Sequence, residues 1–225
     1  MTRAEPGAAR TAARIAAMGL TPLVAPLLRI EPLAVQALAE PHDALVFTSP
    51  NAVAAWTALT SDRAAPVLAV GDATALAART AGWAQARSAS GDLKALAALI
   101  RADPDLRGAR LLHPGAEIPA GDLNALVAGH ATVQALPVYR AVITGAAAPQ
   151  AFDAVLIHSP RAGGALANAL TPDQALDRIA CAISHAAAAP LMALSFARIA
   201  VAATPDETAL LAALTACLGK PPASV

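Results

Sequence analysis

The stretch DALVFTSPNA, Asp43–Ala52, returns 110 positions later as DAVLIHSPRA, Asp153–Ala162. Each copy runs an acidic residue, a short apolar run, Ser-Pro, and an alanine-rich segment. The apolar run has the length of a buried strand. Serine followed by proline suits a helix start, because serine caps the free amides and proline lacks the N–H that has no partner there. Two further blocks repeat in the same order. VLAVGDATALAARTAGW (Val67–Trp83) shares its plan with IACAISHAAAAPLMAL (Ile179–Leu194), and SASGDLKALAALI (Ser88–Ile100) with AATPDETALLAAL (Ala202–Leu214). A period of 20 to 50 residues would indicate a solenoid. One period of half a chain predicts two similar lobes.

Between and around these blocks, apolar runs alternate with helical patterns. Strands are expected at Ala44–Phe47, Val67–Val70, Arg110–His113, Val133–Leu136, Ala154–Ile157, Ile179–Ile183 and Arg198–Ala202. Helices are expected at Pro6–Met18, Pro50–Leu59, Ala73–Thr80, Asp92–Arg101, Asp122–Ala128, Arg161–Ala169, Ala186–Leu194 and Asp206–Cys217. Such alternation builds parallel sheets with crossover helices. PLLRIEPL (Pro26–Leu33) and LPVYRAVIT (Leu136–Thr144) are extended, apolar and flanked by proline, as two crossing strands would be. The expected fold is therefore α/β: two similar parallel-sheet lobes, one inserted in the other, joined by a two-stranded linker with a cleft between. Residues 1–28 plus 145–225 form the outer lobe, 34–137 the inner lobe, and 29–33 and 138–144 the linker strands.

Composition narrows the function. Charged residues are 14% of the 225, and sixteen basic residues balance sixteen acidic ones. No basic tract stands out, which argues against nucleic acid as a partner. Ala180–Phe196 is too interrupted to span a bilayer. Cys181 and Cys217 match no metal spacing and read as reduced thiols of a cytoplasmic protein. The Arg/Ala-rich start reads as part of the fold, not as a targeting segment. A monomer is the default state.

In parallel α/β sheets, ligands lie beyond the carboxyl ends of the strands, where helix N-termini attract anions. Candidate anion contacts are Ser49 in FTSPN, Gly71 and Thr74 in VGDATA, His113 and Gly115 in the Gly-bearing turn expected in HPGAE, and the HSP and ISH turns. Gly71 is expected to permit a tight turn. The bland alternatives stand beside them: serine or threonine as plain caps, His113 and His158 as hydrogen-bonded surface groups, and Tyr139, Trp56 and Trp83 as packing. No nucleophile–base pair, Walker loop or dinucleotide fingerprint occurs.

Six blocks, DALVFTSPNAV (43–53), AVGDATALAARTAG (69–82), GDLKALAALI (91–100), LLHPGAEIPAGDLNALV (111–127), LPVYRA (136–141) and DAVLIHSPRA (153–162), together resemble the uroporphyrinogen-III synthase family. MTRAEPGA resembles the end of that family's first strand and its first helix, with Arg3 in the family's arginine position. The resemblance implies two α/β lobes on a two-stranded linker. It also implies an enzyme, a cyclising lyase without cofactor or metal. The implied substrate is the linear tetrapyrrole hydroxymethylbilane, which closes to uroporphyrinogen III with loss of water and inversion of ring D. Its eight carboxylates suit helix N-termini and hydroxyls. By position, Tyr139 matches the tyrosine that hydrogen-bonds the leaving hydroxyl. Thr74, Ser49, Asn51, Ser159 and Ser184 match substrate-contact positions. The alanines of ISHAAAAP depart from the family's glycine and threonine, and the first strand is reduced to a stub. The competing expectation is a bilobed binding module for a small polycarboxylate, without chemistry.

Overall fold

The computed structural model describes residues 1–35 and 41–219. By its internal contacts the chain divides into two units, one of Met1–Arg29 with Val142–Val225 and one of Ile30–Ala141. The chain passes from one unit to the other in β1 (Leu28–Pro32) and again in β6 (Thr132–Ile143). Backbone hydrogen bonds join Leu33 to Val138 and Thr144 to Leu27. As one number rises the other falls, so the two strands run antiparallel.

The unit of residues 30–141 is built on a six-stranded sheet in the order β1-β6-β5-β2-β3-β4, with β2 at Ala44–Phe47, β3 at Val67–Ala69, β4 at Ala86–Ser88 and β5 at Arg110–Ala116. From β6 to β4 every pairing is parallel. All four residues of β2 are buried, because the sheet is covered on both faces. Ala44 and Val46 face an apolar cluster with Leu96 and Ile100 of α4 (Leu93–Ala102) and Leu123 and Val127 of α5 (Leu123–Val127). Leu45 and Phe47 face the other way, onto Val53 and Trp56 of α2 (Pro50–Leu59), Ala78 of α3 (Asp72–Thr80), and Trp83.

The other unit repeats the plan with three parallel strands, β7 (Ala154–Ile157), β8 (Ile179–Ala182) and β9 (Arg198–Val201). On one face, Val155, Ile157, Ala180 and Ala182 meet α6 (Pro160–Ala169) and α8 (His185–Ala188); a short α7 (Pro172–Ala175) precedes β8. On the other, Leu156 and Cys181 meet α1 (Gly7–Ala17) and α9 (Glu207–Cys217). The three sequence repeats are thus the consecutive strand–helix pairs β2–α2, β3–α3, β4–α4 and β7–α6, β8–α8, β9–α9.

Several expectations need correction. The edge strand β4 lies in ARS, a polar triplet with no strand signal of its own; its pairing with Val67–Ala69 makes it a strand. Val133–Leu136 and the second crossing are one twelve-residue strand. The helix expected at Ala186–Leu194 stops after four residues and continues as a 3₁₀ turn, Ala189–Ala193. Pro190 there has no N–H to donate and crowds the preceding turn. Finally, Met1–Ala4 form no strand. That segment is tied down by Thr2, whose hydroxyl donates to the Leu156 carbonyl of β7 at 3.0 Å and whose carbonyl accepts from Leu27.

Candidate functional site

Ser49 and Ser159 occupy equivalent places and near-identical backbone geometry, φ/ψ −159/153 and −163/157. Each hydroxyl accepts the amide three residues on, Ala52 at 3.1 Å and Ala162 at 3.2 Å. Each is followed by proline at the first helical position, and neither helix carries an acidic residue in its first turn. The positive ends of α2 and α6 therefore face no acid of their own first turns. The other helix starts differ. Asp72 sits in the first turn of α3, and its carboxyl is held below the usual range by hydrogen bonds from Ser88 and Ser90. Glu207 sits in the first turn of α9, and α8 has only four residues. Of the anion sites expected from sequence, the electrostatics favour two, α2 and its twin α6.

Tyr139 meets α2 directly. Its hydroxyl lies 2.9 Å from Ser49 Oγ, while the ring packs with Phe47, Val53, Trp56 and Val138. Val138 and Tyr139 are both buried, which breaks the in–out alternation of a strand. The break has a cause: the β5–β6 ladder pairs Gly115 with Pro137 but Ala116 with Tyr139, so β6 carries one extra residue there. A bulge of this kind redirects a side chain. Burial pushes the phenol pKa up and the Ser49 hydrogen bond pulls it back in part, so the group is a protonated phenol at neutral pH.

His113 lies beside this pair in the same unit. HPGA is not a turn but the end of β5, because β6 pairs with it as far as Ala116. His113 is 6% exposed and its Nε2 is 3.1 Å from the Thr48 hydroxyl. Burial lowers its pKa, so it is neutral and brings no charge to an anion. A Cβ on Gly115 would stand 3.2 Å from that imidazole, so the glycine leaves the ring its room. Gly71, with φ −157, is extended backbone open to any residue, so no tight turn requires it. Its role is negative: unlike Ser49 and Ser159, it has no side chain to cap α3. Thr74 is buried at 3% in the first turn of α3, and Asn51 is half-buried in that of α2. Ser184 caps α8 through the Ala187 amide at 3.3 Å.

The other unit holds a polar cluster. Glu207 accepts from Thr11 (2.5 Å), from Arg3 Nη1 (3.1 Å) and from His158 Nε2 (3.0 Å). Burial alone would push the Glu207 carboxyl up. The hydrogen bonds from His158 and Thr11 and the Arg3 charge outweigh it, and its pKa falls to about 2. Burial dominates at His158 and lowers its pKa, so it is a neutral imidazole donating from Nε2 to an ionised carboxylate. Arg3 reaches Glu207 across Gly7, where any Cβ would stand 2.4 Å from its Nε. An anion at Arg3 thus shares the guanidinium with an internal carboxylate. Both shifts make the fold lose stability in acid. His158 takes up a proton more readily unfolded, so stability falls as pH drops below about 6.5. Glu207 adds a second loss as pH falls from its ordinary value of 4.5 toward 2. In urea midpoints measured from pH 7 to 3, Glu207→Gln is expected to be less stable at pH 7 and to show a shallower decline below pH 4.5. A parallel decline would place the acid sensitivity elsewhere.

Residues 9–212 match the profile of a family described as uroporphyrinogen-III synthase HemD. The chain belongs to the uroporphyrinogen-III synthase family. Among solved structures, it resembles the uroporphyrinogen-III synthetase of Helicobacter pylori at 17% identity and a TM-score of 0.66, over 88% of this chain and 93% of that one. It also resembles a mutant uroporphyrinogen III synthase of Thermus thermophilus at 20% identity and a TM-score of 0.55, over 98% and 100%. These likenesses carry the fold; the profile carries the family. No curated protein matches. The uroporphyrinogen-III synthase reaction, a cyclisation with loss of water, is a lyase reaction of haem biosynthesis. No group of His, Cys, Asp and Glu able to hold a metal occurs among the described residues, and none of the helices described is long and apolar enough to cross a membrane.

For a uroporphyrinogen-III synthase, the sequence had named Tyr139, Ser49, Asn51, His113 and Gly115, which fall in one unit around the ends of β2 and β5 and the bulge in β6. It had also named Gly71 and Thr74 at α3, and Arg3, Ser159 and Ser184 in the other unit. It missed Thr48, Thr11 and Glu207. Thr48 had a signal, since its position is the twin of His158, both standing before the capping serine. Glu207 had none, because its partners lie 204 and 49 positions away.

Proposed function

We propose that this chain catalyses the uroporphyrinogen-III synthase reaction with Tyr139 as the residue that addresses the leaving hydroxyl. The contact between Tyr139 and Ser49 carries this reading: it sets a protonated phenol at the acid-free N-terminus of α2, beyond the carboxyl end of β2. With a proton, the hydroxymethyl C–O bond breaks, water leaves, and an azafulvene cation remains. The phenol O–H stabilises the departing oxygen. The cation then needs positioning more than further chemistry, since the wrong ring closure needs no help.

Anion contacts for carboxylates are proposed in each unit by itself: the first-turn amides of α2 with Ser49 and Asn51 in one, and those of α6 with Ser159 in the other. Gly71 and Thr74, Ser184, and Arg3 are weaker contacts in this reading: Asp72 shares the start of α3 with the first two, Ser184 caps a helix of only four residues, and Glu207 pairs with Arg3. His113, bonded to Thr48 next to Ser49, and Gly115, which leaves that imidazole its room, are proposed as neighbouring contacts. The protein is further proposed to be a cytoplasmic monomer; its two free thiols suit a reducing compartment. Incubation with freshly prepared hydroxymethylbilane, followed by separation of the product isomers, tests the reading. The type III isomer is the expected product. Type I alone at the background rate would leave only a binding module.

A further inference from the structure

We propose that Ser49 is a positioning residue for Tyr139, through a hydrogen-bond chain running from the Ala52 amide to the Ser49 hydroxyl and on to the tyrosine O–H. The proposal rests on the role given to Tyr139 above and adds how that phenol is aimed. A serine hydroxyl has one hydrogen and two lone pairs. One lone pair of Ser49 takes the Ala52 N–H at 3.1 Å, and Tyr139 Oη lies 2.9 Å away. Two arrangements remain. When the phenol donates to serine, its proton is committed and cannot serve a departing oxygen. When serine donates to the phenol, that proton is free. An acceptor oxygen beside the phenol selects the second arrangement, because every hydrogen of the chain then has an acceptor. Each bond polarises the next, starting from an amide at the positive end of α2. The bulge opposite Ala116 supports the same conclusion independently. An unbroken ladder would pair Ala116 with Val138 and turn Tyr139 to the opposite face. Ser159 is the internal comparison. It makes the same cap, and the chain's one tyrosine is in the other unit.

That single tyrosine makes the test direct, since alkaline absorbance titration of the whole protein reports Tyr139 alone. Ser49→Ala and Ser49→Gly (glycine being tolerated at caps) are expected to move its midpoint upward. Ser49→Thr should restore it, and Ser159→Ala, which measures the cost of a lost cap in thermal melts, should leave it unmoved. In the isomer assay Ser49→Ala should slow type III formation about tenfold, and beside Tyr139→Phe the same substitution should cost much less than it does alone, only what its place among the substrate carboxylates contributes. An unmoved midpoint in the folded Ser49 variants, or additive losses, overturns the proposal. Should the unaltered protein form no type III isomer, the synthase reading falls, while the midpoint still decides the link between Ser49 and Tyr139.

Discussion

Tyr139→Phe is expected to lower kcat for type III formation by about ten- to a hundredfold while leaving KM nearly unchanged. The range follows from the hydrogen bond lost: one made to a group developing charge is worth about 1.5–3 kcal/mol, and each 1.4 kcal/mol is tenfold. The effect belongs to kcat because the departing oxygen needs the phenol most as its bond breaks, while the carboxylates that hold the ground state are elsewhere. Stability should change little. Phenylalanine keeps the ring among Phe47, Val53 and Trp56, and Ser49 still caps α2. The loss is about 1 kcal/mol, a fall in Tm of about 2–4 °C. Steady-state kinetics with isomer analysis, beside a thermal melt, checks both halves. An unchanged kcat would return Tyr139 to the core, and a melt falling by tens of degrees would show that the hydroxyl holds the fold.

The sequence made the scaffold legible because its signals were local and doubled. Ser-Pro before an alanine-rich helix, and a four-residue apolar run before that, state a buried parallel strand and its crossover without reference to anything distant. The duplication then pointed to two similar α/β units. What stayed hidden depends on partners. ARS at 86–88 is a strand only because β3 offers it a ladder. HPGA reads as a turn by composition and is a strand because β6 runs alongside. The site follows the same division. Tyr139 and Ser49 were nameable one by one, but their contact depends on a bulge, and a bulge is a mismatch between two strands that neither states alone. Glu207 looked like an ordinary first-turn acid, and only the folded chain sets it against Arg3, Thr11 and His158. The structure also cuts the expected anion sites to two: Asp72 stands in the first turn of α3, α8 has only four residues, and HPGA is strand and not a turn.

Two adjacent glycines of α6 should respond to alanine with opposite signs. A Cβ on Gly163 would stand 2.4 Å from the Ala187 carbonyl oxygen and 3.5 Å from Pro190 Cγ, whereas one on Gly164 meets nothing within 4 Å. In a helix interior alanine is better than glycine by about 0.8–1 kcal/mol, and Gly164→Ala should gain most of that. At Gly163 the same gain is opposed by overpacking of about 1–3 kcal/mol or more. The upper end applies, because the obstacle is backbone and cannot rotate aside as a side chain would. The net expected loss for Gly163→Ala is about 2 kcal/mol, a fall in Tm of about 4–8 °C. The consequence extends to function, since Gly163 is where α6 rests on α8, and the two helices begin at Ser159 and Ser184. Forcing them apart displaces the α6 N-terminus that the proposed reading gives to substrate carboxylates. Gly163→Ala should therefore raise KM at temperatures where the variant is fully folded, and Gly164→Ala should leave turnover unchanged. Equal melts for the two variants would mean that α6 and α8 do not approach this closely, and the expected rise in KM would have to be abandoned.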